Sequence, residues 1–427
     1  MITLSLRRTA VVLIGILFLI AALPAHGDEA RKEDGVQKKP IKINQESRYE
    51  QTPSFAQRML EELKRAFSDE RSDVADGLDL LASLCIYRRK YAEAEWLMRK
   101  ALAIREKTFG SEHLVADTNL RQLGMLCMNR GKYSEAESIF KRSLAIREKF
   151  LGPDHPGVAE ALNSLAGSYE FQGRYAETEP LYHRCLALYE ETLGPGHPSF
   201  AETLGNLAFA YRWQGKYEEA EPLLKRALAI NEETLGPYHL NVSRSLNDLG
   251  LLYRAQGRFP EAEALHKRSL AITRKALGPD HPNVAADLNN LAKAYMYQGR
   301  YKEAEELYKK SLAIDEKIHG LDHPDSASTI NNMAEMYGAQ ERYVEAEQLF
   351  RKALAIREKS LGPNHPRVAT TLYKMAEMYR SQGNHEKTEE FCKRYLALSV
   401  RAPKPDRLPL RPGLAAKDLC STEGSGE

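Results

Sequence analysis

Among 427 residues there are five cysteines and two tryptophans, and no two cysteines form a C-x-x-C pair. That excludes a disulfide-dense scaffold and leaves no zinc ribbon or dithiol redox centre. Net charge is nearly absent too: 61 Lys and Arg against 59 Asp and Glu give +2. Without Arg7 and Arg8, the only charges in residues 1–27, the balance is close to zero. No basic field marks the chain for nucleic acid. Catalytic signatures are missing as well: no G-x-x-x-x-G-K-[ST] loop, H-E-x-x-H, G-x-S-x-G or acidic calcium loop occurs, and Lys132 and Lys216 follow glycine without completing a phosphate loop. The chain therefore reads as a non-enzyme with no catalytic residue, cofactor or metal site. What it does have is 43% hydrophobic and 28% charged residues, enough for a core under a soluble surface.

The first segment stands apart. Arg7 and Arg8 precede an apolar run of fourteen residues, Ala10 to Leu23, which ends in Pro24-Ala25-His26-Gly27. That run is short for a hydrocarbon core about 30 Å thick, and its basic start and small-residue end read as a secretory signal peptide over 1–27. The protein is then expected to be periplasmic or secreted and not integral to a membrane, or membrane-tethered if the signal is not cleaved. Residues 28–48 are polar and unpatterned, a flexible spacer. Prolines 403, 405, 409 and 412 forbid a continuous helix at the other end, so 404–427 reads as a disordered tail.

Between these ends Gly110/His113, Gly152/His155, Gly194/His197, Gly236/His239, Gly278/His281, Gly320/His323 and Gly362/His365 recur every 42 residues. A tyrosine column, Tyr169, Tyr211, Tyr253, Tyr295, Tyr337 and Tyr379, keeps the same period. Eight units of 42 residues span 68–403, the first worn, and residues 49–67 read as a lone capping helix. Within a unit, Val158, Leu162, Leu165, Ala166 and Tyr169 keep a 3.6 period, and so do Leu181, Tyr182, Cys185, Leu186 and Tyr189. Each unit is thus two amphipathic helices. Gln172-Gly173 breaks between them, and Gly194-Pro195 closes the second before Pro198 opens the next. Such pairs bury their apolar stripes only against stacked neighbours, which predicts an all-α solenoid.

The segment HPGVAEALNSLAGSYEFQGRYAETEPLYHRCLALYEETLG, His155 to Gly194, is similar to the 42-residue tetratricopeptide repeats of kinesin light chains. The resemblance covers most of the chain through its Leu-x-x-Leu-Ala-x-x-Tyr helix, Gln-Gly turn and Tyr-x-Glu-Ala-Glu start. It implies a right-handed solenoid of eight two-helix repeats whose first helices line a concave groove for extended peptide segments. Motor transport is not implied, because no heptad coiled coil is present. The expected function is a protein–protein interaction scaffold with an unnamed protein or peptide partner. The alternative is a cell-envelope structural or polysaccharide-associated scaffold acting through its outer faces and ends.

On the first helices an asparagine column stands out, Asn163, Asn247, Asn289 and Asn331, flanked by Asn206, Asn290 and Asn332. An amide both donates to and accepts from a ligand backbone, and these positions match the family's groove asparagines; the same residues equally suit solvated or backbone-capping roles. Gly205 and Tyr373 break the column. A second set, Phe171, Trp213 and Tyr297 with Arg212 and Arg254 beside them, has the composition of contact hot spots, although aromatics near a helix end also pack on the adjoining helix. The loop histidines stand about a helix pair apart, each helix contact being about 8–10 Å, so they cannot share one zinc and are assigned to helix entry. Cys85, Cys127, Cys185 and Cys392 read as buried free thiols, and Cys420, in the tail, is free to pair between molecules. The Glu and Lys residues of 303–310 read as a solvated helix face. Asn241-Val242-Ser243 is a glycosylation acceptor if the host modifies exported proteins.

Overall fold

A computed structural model describes residues 72–87 and 90–401. The expected signal peptide, spacer, capping helix and tail, and Cys420 with the tail, lie outside the described residues. Those residues form sixteen helices and no strand. They are α1 (Ser72–Tyr87), α2 (Tyr91–Phe109), α3 (Val115–Asn129), α4 (Tyr133–Leu151), α5 (Pro156–Phe171), α6 (Tyr175–Thr192), α7 (Pro198–Trp213) and α8 (Tyr217–Leu235). There follow α9 (Leu240–Ala255), α10 (Phe259–Leu277), α11 (Pro282–Tyr297), α12 (Tyr301–His319), α13 (Pro324–Ala339), α14 (Tyr343–Leu361), α15 (Pro366–Ser381) and α16 (His385–Arg401). Odd-numbered helices are the first helices of eight repeats and even-numbered ones the second.

The chain divides into two compact units, up to Asn119 and from Leu120 onward. In the first, α1 packs on α2 through buried Leu78, Leu81 and Ala82 and buried Leu97, Met98 and Ala101. The buried Arg105 guanidinium is neutralised by Asp76 and Asp79, each at 2.7 Å. The worn first unit thus keeps its helix pair. In the second unit α4 packs on α5, from α6 on each second helix packs on its own first helix and, up to α14, on the first helix of the next repeat, and α7, α9, α11, α13 and α15 succeed one another side by side. The core repeats alanine with a large side chain: Ala166, Ala208, Ala292, Ala334 and Ala376 are fully buried, as are Tyr182, Tyr308 and Phe350 of the second helices.

The loops behave as their sequence predicts. In every described loop the histidine Nδ1 accepts from the backbone N–H two residues on, at 3.0 Å for His155 and 3.1 Å for His197, His239, His281 and His365. The histidine is therefore an N-cap that satisfies an otherwise unpaired N–H of the first turn. His365 is 8% exposed because Gly131 lies against its ring and Pro366. Burial, with Arg367 and Arg357 nearby, pushes its imidazole down to about 4. At the tight turn between helices glycine adopts φ of +72° at Gly173 and +78° at Gly257, and Glu341 occupies the same left-handed region at φ 61° without being glycine.

Two expectations need correction. Cys85, Cys127 and Cys185 are buried and outside any disulfide, the last donating to the Ala159 carbonyl at 3.0 Å, but Cys392 is disulfide-bonded, against the expected thiol. The acidic residues of the second helices are not all a solvated face. From Glu137 to Glu305 the second glutamate of the second-helix start is half-buried and faces the tyrosine and the turn cation of the next repeat. Tyr211 and Tyr253 donate to Glu179 and Glu221 at 2.9 and 3.0 Å, while Arg174, Arg258 and Arg300 reach Glu137, Glu221 and Glu263 at 2.7, 2.9 and 2.9 Å. The same guanidiniums lie over the tyrosine rings, 3.7 Å from the Tyr253 centroid for Arg258. The hydrogen bond from Lys225, with that of Tyr253 and the charge of Arg258, holds Glu221 down to about 2. Glu305 belongs to this ladder through Tyr337 and Arg342, whereas Glu303, Glu306, Lys309 and Lys310 are exposed.

Candidate functional site

The asparagine column lies on the row of first helices, and most of its amides are engaged across the seam to the next first helix. Asn163 donates to Thr203 at 3.1 Å and Asn289 to Thr329 at 3.0 Å. Asn247 donates to Asp287 and receives the His266 Nδ1–H at 2.9 Å. Asn331, 4% exposed, donates to Glu335 of its own helix at 3.1 Å. Asn332 donates to Asn289 Oδ1 at 2.7 Å and accepts from Lys293 at 3.1 Å. Asn206 and Asn290 are half-buried and make no side-chain hydrogen bond among the described residues. The structure thus separates the seven: Asn163, Asn247, Asn289 and Asn332 bond across to neighbouring repeats, Asn331 bonds within its own helix, and Asn206 and Asn290 make no side-chain hydrogen bond among the described residues.

The aromatic set is similarly divided. Phe171 stacks on Tyr133 at 5.3 Å, Trp213 on Tyr175 at 6.3 Å and Tyr297 on Phe259 at 5.3 Å, in each case the first aromatic of the preceding second helix. Packing on the adjoining helix therefore accounts for one face of each ring. Phe171 still leaves 62% of its surface exposed and Phe209 38%. Arg212 sits between Phe209 and Trp213, its guanidinium carbon 5.1 and 4.9 Å from their ring centroids. Burial, then repulsion from Arg254 one repeat on, lowers its pKa. One repeat back in this column is Glu170, which accepts from the Tyr182 hydroxyl at 3.0 Å; burial raises it to about 8. The helix that carries Asn206 thus also carries the Arg212 cation against exposed aromatic area.

Sequence reasoning missed the partners of the asparagines. Thr203, Asp287 and Thr329 stand 40 residues on, a spacing that follows from the 42-residue repeat and was legible as such. It also missed a polar core behind Asn247, where Ser243 Oγ lies 2.7 Å from both Ser269 Oγ and Thr273 Oγ1 and Ser269 donates to Asp287 at 3.3 Å. Ser243 is the hydroxyl of the Asn241 glycosylation acceptor and is buried in these bonds.

Tetratricopeptide repeat models match residues 74–114 and, in overlapping stretches, 114–191, 158–208, 199–275, 250–317, 283–359 and 325–399. The chain belongs to the tetratricopeptide repeat family. No curated protein matches it. Nearly identical TPR-like repeats from a Podosopora anserina protein assigned as a kinesin light chain are 32% identical, over 48% of this chain and 97% of that one, with a TM-score of 0.42. The Rap conjugation gene regulator of plasmid pLS20, solved with the Phr* peptide, is 14% identical over 81% of this chain and 95% of its own, with a TM-score of 0.54. A Rap protein complexed with competence and sporulation factor is 14% identical over 77% and 98%, with a TM-score of 0.51. At that identity the Rap structures share the fold with this tetratricopeptide protein. No described helix is long and apolar enough to cross a membrane.

Proposed function

We propose that this tetratricopeptide protein is a non-catalytic scaffold that holds an extended segment of a partner protein along its first helices, outside the cytosol. The observation that carries the reading is the pair Asn206 and Asn290, half-buried on that row without a side-chain hydrogen bond among the described residues, with Arg212, Phe209 and Trp213 on the same helix as Asn206. A half-buried amide with no protein partner is stabilised by a ligand backbone that supplies both an acceptor and a donor, whatever the ligand's sequence. The tetratricopeptide fold, typical of interaction scaffolds, and the peptide seen in the pLS20 Rap structure support the same mode. The basic, then apolar, segment ending at Gly27 supports export.

The test is a crosslinking pulldown from a native envelope fraction, identified by mass spectrometry and run beside Asn206→Ala/Asn290→Ala. These two are preferred to Asn289 and Asn331, whose removal breaks bonds inside the array. A partner captured by the wild type and lost with the folded double variant supports the groove. Equal capture by both refutes it and moves attention to the outer faces.

A further inference from the structure

Cys392 lies in α16, the second helix of the last described repeat. One, two and five repeats earlier its position holds Phe350, Tyr308 and Tyr182. Those rings are fully buried and cluster with the first helix of the following repeat, Tyr182 with Leu207, Ala208 and Tyr211 of α7 and Tyr308 with Met333, Ala334 and Tyr337 of α13. No first helix follows α16 among the described residues, where it packs on α15. The 42-residue period would place the next loop glycine and histidine at 404 and 407, and Lys404 and Arg407 stand there instead. One turn beyond Cys392, Leu396 keeps 37% of its surface exposed, whereas Leu354, one repeat earlier, keeps 7%. The face of α16 that elsewhere in the array meets another helix is thus only partly covered.

Cys392 is disulfide-bonded. Cys85, Cys127 and Cys185 are outside any disulfide, and the fifth cysteine of the chain is Cys420. The stretch that leads to it opens with Pro412-Gly413-Leu414-Ala415, as α5 opens with Pro156-Gly157-Val158-Ala159. In α5 that Val-Ala pair is fully buried, in a cluster joined by Leu144 of the preceding second helix. Leu144 holds, six repeats earlier, the place of Leu396. The distances allow a return. Cys392 stands about 14 Å along the helix from its end at Arg401, and the nineteen residues from Arg401 to Cys420 reach several times that when extended.

We propose that Cys420 is the partner of Cys392 and that residues 412–420, tethered by this bond, cover α16 in place of a ninth first helix, with Leu414 and Ala415 against Leu396. The inference is independent of the peptide row. The bond forms by exchange with a disulfide donor: the two protein thiols give up two protons and two electrons as their Sγ atoms join, while the S–S bond of the donor breaks and the donor leaves as two thiols. Such a bond persists in an oxidising compartment. It closes the end of the solenoid with a segment whose hold depends on redox state.

The experiment uses the full chain, purified from an oxidising compartment without reductant, alkylated in denaturant and digested with trypsin. The expected result is a peptide pair, Thr388–Lys393 joined to Asp418–Glu427, that separates on reduction, with Cys85, Cys127 and Cys185 alkylated. Alkylated Cys392, a link from Cys392 to any other cysteine, or a covalent dimer on a non-reducing gel overturns the bond within one chain. Hydrogen exchange tests the cover. Amides of α16 should exchange roughly tenfold faster or more after reduction, in Cys420→Ser, and in Leu414→Ser/Leu419→Ser, which keeps both cysteines. Unchanged exchange in α7 to α11 shows that the array of each variant is folded. Exchange in α16 that is the same in Leu414→Ser/Leu419→Ser as in the wild type overturns the docked segment.

Discussion

The pair Gly250 and His266 offers a stringent test of how the array is packed. The position of Gly250 holds alanine in the repeats on either side, Ala208 and Ala292, and the position of His266 holds Leu224 and Tyr308. His266 is fully buried, its ring fixed by the Nδ1–H donated to Asn247 at 2.9 Å and its Nε2 without a partner. A Cβ at Gly250 would stand 2.7 Å from His266 Cε1 and 2.9 Å from Nε2, inside any allowed contact. Gly250→Ala alone gains about 1 kcal/mol of helix propensity and loses about 1–3 kcal/mol to overpacking. His266→Leu alone relieves the orphaned Nε2 but strips Asn247 of its donor, a cost of about 1–3 kcal/mol. With both changes the clash has gone and the propensity gain remains, so the double-mutant cycle should show a favourable coupling of about 1–3 kcal/mol. Ala208 and Leu224 are, in effect, this double variant one repeat earlier. The assay is urea unfolding followed by far-ultraviolet circular dichroism, with equal denaturant slopes required across the four proteins. Additivity within about 0.5 kcal/mol would refute the contact.

Three further outcomes are expected. Glu170, raised by burial from an ordinary 4.5 to about 8, binds a proton in the folded state that the unfolded chain has released. Its stabilising contribution is full below about 4.5 and is lost as pH rises to about 8, at up to about 1.4 kcal/mol per pH unit; urea midpoints between pH 5 and 8 should fall less steeply in Glu170→Gln, and identical slopes would sink the assignment. Glu341→Gly should stabilise by up to about 1 kcal/mol, because glycine adopts the left-handed φ of 61° without the cost a side chain incurs; thermal unfolding reads it, and a loss of stability would count against strain there. His281→Ala should cost about 1 kcal/mol, the worth of an N-cap, and a chelator should leave the wild-type melting temperature unchanged; a chelator-sensitive melt would reopen the metal reading.

Much of this was legible because it is local. The 42-residue period, the Gly-Pro loop ends, the histidine caps and the paired helical stripes each depend on residues within one or two turns of one another, so spacing alone predicted eight helix pairs and the role of the loop histidines. The candidate site was legible only as columns. Asn289 and Asn331 hold the same place in consecutive repeats, yet Asn289 finds Thr329 across the seam while Asn331 bonds Glu335 of its own helix and Thr371, 40 positions on, is taken by Arg357, because stacking decides which groups meet. Glu221 and Glu263 show the same limit: Lys225 and Lys267 at i+4 suggest a solvated face, and only the next repeat's tyrosine and turn arginine reveal a seam contact. Gly205 read as a gap in a column; that a cavity opens beside it, lined by Asn231, Arg244, Ser245 and Asp248 among others, depends on three helices meeting. The sequence by itself determined the repeat, its helices and their order, since backbone conformation and amphipathicity are set over short range. Which polar groups are spent on holding neighbours together, and which remain for a partner, was decided by tertiary stacking, since a hydrogen bond is satisfied by whatever side chain arrives across the seam.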